Sequence, residues 1–125
     1  MGRIWPSPFL RGKPLMGLFG NLFKKKFESV SPAAAKAMQS DGALLIDVRE
    51  SNEYKSGHAA GARHIALSSL PNRLRDLPKE RDILVICQSG ARSSNAANYL
   101  AGQGYKVTNI SGGTANWRRS GLPIS

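Results

Sequence analysis

One cysteine, Cys87, stands at the junction between a predicted strand and a predicted helix. It is the only cysteine in the 125-residue chain. Four apolar residues, Ile83 to Ile86, precede it and indicate a buried strand. Small and polar residues follow, then Arg92, then a segment typical of a helix from about Ser94 to Ala101. The pattern predicts a strand, a tight loop and the start of a helix.

This position favours the thiolate form of Cys87, which is the nucleophilic form. Ligands of open parallel sheets bind beyond the carboxyl ends of the strands. The first turn of a helix offers unpaired N–H groups to an anion, and Arg92 adds a permanent positive charge. We therefore expect backbone N–H groups to surround the sulfur as an anion-binding nest. The residues expected to form it are Gln88, Ser89, Gly90, Ala91, Arg92 and Ser93. The alternative for Cys87 is a small buried hydrophobe.

Short strands and helices alternate along the chain, which predicts an α/β fold. We expect a five-stranded, mostly parallel sheet with helices on both faces and right-handed crossovers. The predicted strands are Phe27–Val30, Ala43–Val48, Arg63–Ala66, Asp82–Ile86 and Lys106–Ile110. The predicted helices are Ala33–Gln39, Ser51–Lys55, Ser69–Leu77, Ser94–Gln103 and one that follows Gly112-Gly113 and carries Trp117.

Several short motifs occur in the order and at the spacing of a known family. They are Asp47-Val48-Arg49-Glu50, Glu53-Tyr54, Gly57-His58, Gly61-Ala62, the loop Cys87 to Ser93, Gly112-Gly113, Trp117 and Gly121-Leu122-Pro123. As a set they resemble the rhodaneses, the thiosulfate sulfurtransferases, over residues 28–125. The resemblance implies a rhodanese-like fold in which Cys87 takes a sulfane sulfur from thiosulfate or a similar small anion. A Cys87 persulfide would then pass the sulfur to cyanide, a thiol or a protein acceptor. No metal and no organic cofactor is implied.

The length of the loop separates this reading from a related chemistry. Cys87 to Arg92 is a C-x4-R spacing, whereas the related phosphatases use C-x5-R, a longer ring that suits a tetrahedral phosphate. One rival is a non-catalytic rhodanese-like module that binds a partner protein or relays sulfur within a complex. Another is a small cysteine phosphatase or arsenate reductase, against which the loop length and the lack of a second cysteine count.

Charged residues near the predicted site have alternative roles. Arg92 could contact the anionic part of the substrate, or it could hold the loop by bonding carbonyls or carboxylates. Asp47 ends the strand expected beside Cys87, and we favour a salt bridge or loop support over a general-acid role. Arg49 and Glu53 are spaced i, i+4, which predicts a weak ion pair between them.

Two histidines, His58 and His64, are the only imidazoles in the chain. A Cys–His couple could activate the thiol, but we favour structural roles for both. Their scattered spacing also argues against a metal site with Cys87. Trp117 is predicted to fill the core.

Residues 1–27 differ from the rest and form a basic leader that we expect to be flexible. Six basic residues and no acidic residue precede Glu28, within a net charge of +10. A mobile tail, an upstream extension with Met16 as the start, a membrane-surface helix and a targeting leader are all open readings. Nucleic-acid binding is not expected, since no aromatic–basic pattern accompanies the charge. We expect a cytoplasmic location.

Overall fold

In the part of the chain that the structure describes, five short strands form a single sheet. They are β1 (Glu28–Val30), β2 (Leu44–Asp47), β3 (Arg63–His64), β4 (Asp82–Ile86) and β5 (Lys106–Ile110). Their order across the sheet is β1-β5-β4-β2-β3, and every neighbouring pair is parallel. β4 is central and buried along its whole length, as its continuous apolar run predicts. The structure is a computed structural model, and it describes residues 26–125.

Within residues 26–125, three α-helices and one 3₁₀ segment connect the strands, and a fourth α-helix follows β5. The helices are α1 (Pro32–Ser40), α2 (Ser51–Lys55), α3 (Ala91–Gly102) and α4 (Gly113–Arg119). The predicted helix Ser69–Leu77 is instead a 3₁₀ segment, Leu67–Asp76, with Pro71 inside it. Proline removes one backbone donor and disrupts the α-helical hydrogen bonding around it, which favours a short irregular helix here.

Two apolar layers cover the two faces of the sheet. On one face, α1 and α4 contribute Ala35 and Trp117 to a buried cluster. On the other, α3 and the 3₁₀ segment contribute Ala96 and Leu70. Trp117 is fully buried, as predicted, and its indole N–H donates to the carbonyl of Pro123 over 2.8 Å. The predicted α/β fold is therefore confirmed, with every strand pair parallel.

The path of the chain opens a crevice between β2 and β4. After β2, the chain enters α2, whose Tyr54 packs on the α1–α4 side. After β4, it enters α3 on the opposite side. Adjacent parallel strands whose connections leave to opposite faces form a switch point, where ligands of such sheets bind. Asp47 ends β2 and Cys87 follows β4, so both lie at this place.

The helix after Cys87 begins three residues before its predicted start at Ser94. Gly90 precedes it with φ of +114°, a left-handed conformation that glycine adopts readily. The carbonyl of Gly90 accepts the first helical hydrogen bond, from the amide of Ser94 at 3.0 Å. The predicted loop Gln88–Ser93 therefore divides into a three-residue turn and the first turn of α3.

The predictions for residues 1–25 lie outside the described part of the chain. Of the predicted leader, Lys26 and Phe27 are described, and Phe27 packs against the core on the α3 side. Within residues 26–125, no helix has both the length and the apolar character needed to cross a bilayer. The boundary between leader and domain stays a prediction.

Candidate active site

The Cys87 sulfur lies at the base of the turn and accepts hydrogen bonds from it. The residue is 1% exposed. The Gly90 amide donates to Sγ over 3.0 Å, and the Ser93 hydroxyl lies 3.4 Å from Sγ as a second donor. Ser93 is fully buried, and its hydroxyl also lies 3.2 Å from the carbonyl of Gly90. The buried sulfur is therefore within hydrogen-bonding distance of one N–H group and one O–H group.

Two opposing effects act on the ionisation of Cys87. Burial is the largest single influence and raises the pKa of the thiol. The Ser93 hydroxyl and the amides of Ser93, Gly90 and Ser89 all stabilise the thiolate and together outweigh burial. The pKa of Cys87 therefore lies below its ordinary value. A lower pKa gives a larger thiolate fraction near neutral pH.

Replacing Ser93 with alanine is expected to raise the pKa of Cys87. The hydroxyl is the strongest of the hydrogen-bonding influences that lower this pKa, and alanine removes it with little change in volume. The pH at which iodoacetamide alkylation of Cys87 reaches half its maximal rate should move upward. Ser94→Ala is the matched control. Ser94 is the next residue, and the bond it makes to the loop, from its amide to the Gly90 carbonyl, is kept by alanine. An unchanged midpoint in Ser93→Ala would contradict this assignment of the hydroxyl.

The start of α4 holds the carbonyl side of the active-site turn. The amide and hydroxyl of Thr114 both donate to the Cys87 carbonyl, over 2.8 and 3.1 Å. The Ala115 amide donates to the Gln88 carbonyl over 3.2 Å. Gly113 makes this approach possible, since a Cβ there would lie 2.6 Å from the backbone carbonyl carbon of Gln88. With these carbonyls bound by α4, the following amides are free to face the sulfur.

Arg92 is held by Glu53 in a two-pronged ion pair. Its two terminal nitrogens donate to the two carboxylate oxygens over 2.7 and 2.9 Å. Arg92 thus bonds a carboxylate, as one of its two expected roles requires, and its role toward a substrate anion stays a prediction. The predicted pair between Arg49 and Glu53 is wrong. The i, i+4 rule needs both residues within one helix, whereas α2 begins only at Ser51.

Arg49 instead pairs with Asp47 in the interior of the crevice. The Arg49 guanidinium lies 2.8 Å from Asp47 Oδ2, and the two side chains are 3% and 0% exposed. The same guanidinium donates to the carbonyl of Gly57 over 2.8 Å and to the side-chain oxygen of Gln88 over 3.3 Å. The predicted salt bridge of Asp47 is confirmed. The Arg49–Gln88 bond and the Glu53–Arg92 pair together connect the segment after β2 to both ends of the active-site turn.

The histidines lie beside this segment, with backbone partners of their own. His58 Nδ1 lies 2.9 Å from the Tyr54 carbonyl, and His64 Nε2 lies 2.6 Å from the Arg49 carbonyl. The Tyr54 ring stacks with both imidazole rings. These contacts fit the structural roles favoured from the sequence. Across residues 26–125, no three histidine, cysteine or acidic side chains are grouped closely enough to share a metal ion.

The six residues predicted to line the site have different positions. Gly90 and Ser93 direct donors at the sulfur, and the Ser89 amide contributes to the lowered pKa of Cys87. Gln88 and Arg92 turn their side chains to Arg49 and Glu53. Ala91 is exposed at the first position of α3.

Sequence reasoning missed the support that comes from Thr114 and Glu53. The paired glycines before α4 were a usable signal, because adjacent glycines often mark a close approach of two backbone segments. No local pattern marks Glu53 as the partner of a residue 39 positions later.

Comparison with known proteins assigns the family. The family model of the rhodanese-like domain matches residues 31–120. A sulfurtransferase of Allochromatium vinosum is 40% identical over 98 residues, which cover 78% of this chain and 89% of that protein. A thiosulfate sulfurtransferase GlpE of Pseudomonas entomophila is 37% identical over 94 residues, with 74% and 86% covered. The crystal structure of a rhodanese-related protein from Thermoplasma volcanium superposes with a TM-score of 0.74 at 27% identity, over 79% of this chain and 98% of that one. With its parallel sheet and its Cys87 turn, the chain belongs to the rhodanese-like domain family.

Proposed function

We propose that the protein is a thiosulfate sulfurtransferase in which Cys87 carries the transferred sulfur. The observation that carries the proposal is the hydrogen bonding of the Cys87 sulfur by the Gly90 amide and the Ser93 hydroxyl. This arrangement stabilises a sulfur anion at the edge of the sheet where substrates bind. Relatives at 34–40% identity are named sulfurtransferases and thiosulfate sulfurtransferases, which supports the same chemistry.

The proposed reaction has two displacement steps. In the first, the Cys87 thiolate attacks the outer sulfur of thiosulfate. A bond forms between Sγ and that sulfur, the S–S bond of the donor breaks, and its electron pair leaves with sulfite. In the second, cyanide or a thiolate attacks the outer sulfur of the Cys87 persulfide. The new S–C or S–S bond forms, the persulfide bond breaks, and the thiolate of Cys87 is regenerated.

The turn performs a different task in each state. In the resting enzyme, its donors stabilise the thiolate, and burial of Sγ keeps bulk water from the anion. In the persulfide, the outer sulfur lies beyond Sγ, toward the exposed side of the turn at Gln88, Ser89 and Ala91. We propose that Gln88, Ser89, Gly90, Ala91, Arg92 and Ser93 form the binding site for the small sulfur-containing anion. Positioned donors of this kind cost no reorganisation when charge moves onto the outer sulfur.

The carried sulfur must pass to another molecule. Cys87 is the only cysteine of the chain, so no second thiol of this chain can accept the sulfur or resolve the persulfide as an internal disulfide. A small thiol, cyanide or a thiol of another protein therefore completes the cycle.

Mass spectrometry after treatment with thiosulfate tests the proposal. We expect the intact protein to gain one sulfur atom, to carry it on the peptide that contains Cys87, and to lose it on addition of cyanide. Protein alkylated at Cys87 beforehand is the control and should gain nothing. Protein that stays unmodified under these conditions, or that instead hydrolyses an aryl phosphate, contradicts sulfur transfer as its function.

A further inference from the structure

The carboxylate of Glu53 is fixed on the guanidinium of Arg92. Both terminal nitrogens of Arg92 reach it, and the Glu50 amide donates to the same carboxylate over 2.9 Å. The hydrogen bond from Arg92, followed by the one from the Glu50 backbone, lowers the pKa of Glu53 to about 2. Glu53 is therefore ionised at neutral pH, and its negative charge faces the positive charge that follows the active-site turn.

The Glu53–Arg92 pair is close enough to affect the charge around Cys87. Arg92 directly precedes Ser93, whose hydroxyl lies 3.4 Å from Sγ. The negative charge of Cys87 is one of the interactions that raise the pKa of Arg92. The pair is also partly open to solvent, with side chains 36% and 30% exposed. The guanidinium therefore belongs to the neighbour of a residue that bonds Sγ, is partly in solvent and already holds a carboxylate.

We propose that Glu53 is a specificity-determining residue that cancels the charge of Arg92 beside the active-site turn and so reduces the preference of the site for anions. An incoming anion must compete for the guanidinium with a carboxylate of the same chain, which is present at high effective concentration. For sulfur donors, the proposal rests on the proposed function, and it names their class. Glu53 reduces the advantage that the dianion thiosulfate would otherwise have over donors with one negative charge, such as organic thiosulfonates.

Two alkylating reagents measure this charge without any sulfur transfer. Iodoacetate is an anion and iodoacetamide is neutral, and both react with the same Cys87 thiolate. A change in the thiolate fraction affects both rates equally and cancels in their ratio. The ratio therefore reports how the charge around the sulfur affects an anionic reagent relative to a neutral one. One unit charge several ångströms away, largely screened by water, changes such a ratio by about three- to fivefold.

The iodoacetate-to-iodoacetamide rate ratio is expected to change in opposite directions in the two single variants. Glu53→Gln leaves Arg92 uncompensated, so the iodoacetate-to-iodoacetamide ratio rises by about three- to fivefold. Arg92→Gln leaves Glu53 uncompensated, so the ratio falls by a similar factor. The double variant removes both charges, and its ratio returns to that of the unmodified protein. Thermal melts of all three variants establish that the proteins are folded.

Asp76→Asn is the matched control. Asp76 also forms an ion pair with an arginine, Arg73 at 2.6 Å, so the substitution makes the same change in net charge. Asp76 belongs to the 3₁₀ segment, whose Leu74 accepts from the hydroxyl of Tyr105, a residue that directly precedes β5 at the end of the sheet away from Cys87. The ratio should not change in this variant.

Two results would overturn the proposal. In one, Glu53→Gln leaves the ratio unchanged while Arg92→Gln lowers it, so that Arg92 acts on anions despite its partner. In the other, the double variant gives the same ratio as Arg92→Gln, so that the charge of Glu53 is not felt at the sulfur. The second comparison does not need the Glu53→Gln single variant to fold.

Sulfur donors extend the test to the substrate class. Glu53→Gln is expected to raise kcat/KM for thiosulfate about three- to fivefold more than kcat/KM for methanethiosulfonate, because thiosulfate carries one more negative charge. An equal change for both donors contradicts the assignment of donor class. If the protein transfers no sulfur from either donor, the proposed function fails, while the alkylation ratios still decide the role of Glu53.

Discussion

Replacing Cys87 with serine is expected to lower thiosulfate:cyanide sulfurtransferase activity by at least about a thousandfold, the scale on which loss of a nucleophile acts. A serine hydroxyl is not ionised at neutral pH, and an oxygen in place of Sγ cannot form a persulfide. The donors that surround Sγ, the Gly90 amide and the Ser93 hydroxyl, can bond to the serine oxygen instead. The loss should therefore arise from chemistry, with the turn left in place. Colorimetric measurement of thiocyanate formation checks it.

The thermal midpoint of Cys87→Ser supplies the control. Serine is slightly smaller than cysteine, and it finds hydrogen-bond donors already present, so its midpoint should stay close to that of the unmodified protein. If a folded Cys87→Ser protein transferred sulfur as fast as the unmodified protein, the proposed mechanism would be wrong, because no other thiol is present in the chain.

Strand and helix bounds were predictable where local sequence and the environment in the fold favour the same element. The bounds predicted for β4 and β5 agree with the structure at every residue. β4 is a buried and mostly apolar run, and β5 buries its apolar residues Val107 and Ile110, so local composition and tertiary environment agree. Ser31 and Pro32 also behave as predicted. The Ser31 side chain caps α1 through the Ala34 amide, and Pro32 is the first residue of the helix.

Local patterns failed where a long-range contact decides the structure. The arginines show this most clearly, because two arginines and two acids near one crevice allow several pairings. Arg49 folds back on Asp47, two residues away, where both are buried. Glu53 is thereby left for Arg92, which α3 brings across the crevice. The choice depends on where β2 and β4 end, and sequence spacing does not encode it.

The active-site turn was predicted in kind but not in detail. Its chemistry follows from residue types, because a cysteine, a glycine and a helix start in succession suggest an anion nest. Its shape depends on Gly113 and Thr114, which contact the turn from more than 20 positions later in the chain. Packing of α4 under the turn fixes which peptide groups face the sulfur, and this is a property of the folded chain.

Replacing Asp47 with alanine is expected to lower the free energy of unfolding by about 3–5 kcal/mol, the usual cost of removing one partner of a buried ion pair. Asp47 is fully buried, and its carboxylate accepts the backbone N–H of Arg49 at 2.9 Å and its guanidinium at 2.8 to 3.1 Å. Alanine would leave the Arg49 charge in the interior with only the Gly57 carbonyl and the Gln88 side chain as partners. Urea unfolding followed by circular dichroism measures the change.

Two further variants separate the buried charge from the loss of contacts. Asp76→Ala removes the same side chain from an exposed arginine pair, whose members are 43% and 39% exposed, and should cost much less stability than Asp47→Ala. Asp47→Ala combined with Arg49→Met removes both charges and should be more stable than Asp47→Ala alone, because an apolar side chain then fills the space of an unpaired cation. If the double variant is instead the less stable of the two, Arg49 stabilises the fold mainly through its bonds to Gly57 and Gln88. The Asp47–Arg49 pair would then stabilise the protein mainly by connecting the segment after β2 to the active-site turn, and less by neutralising a buried charge.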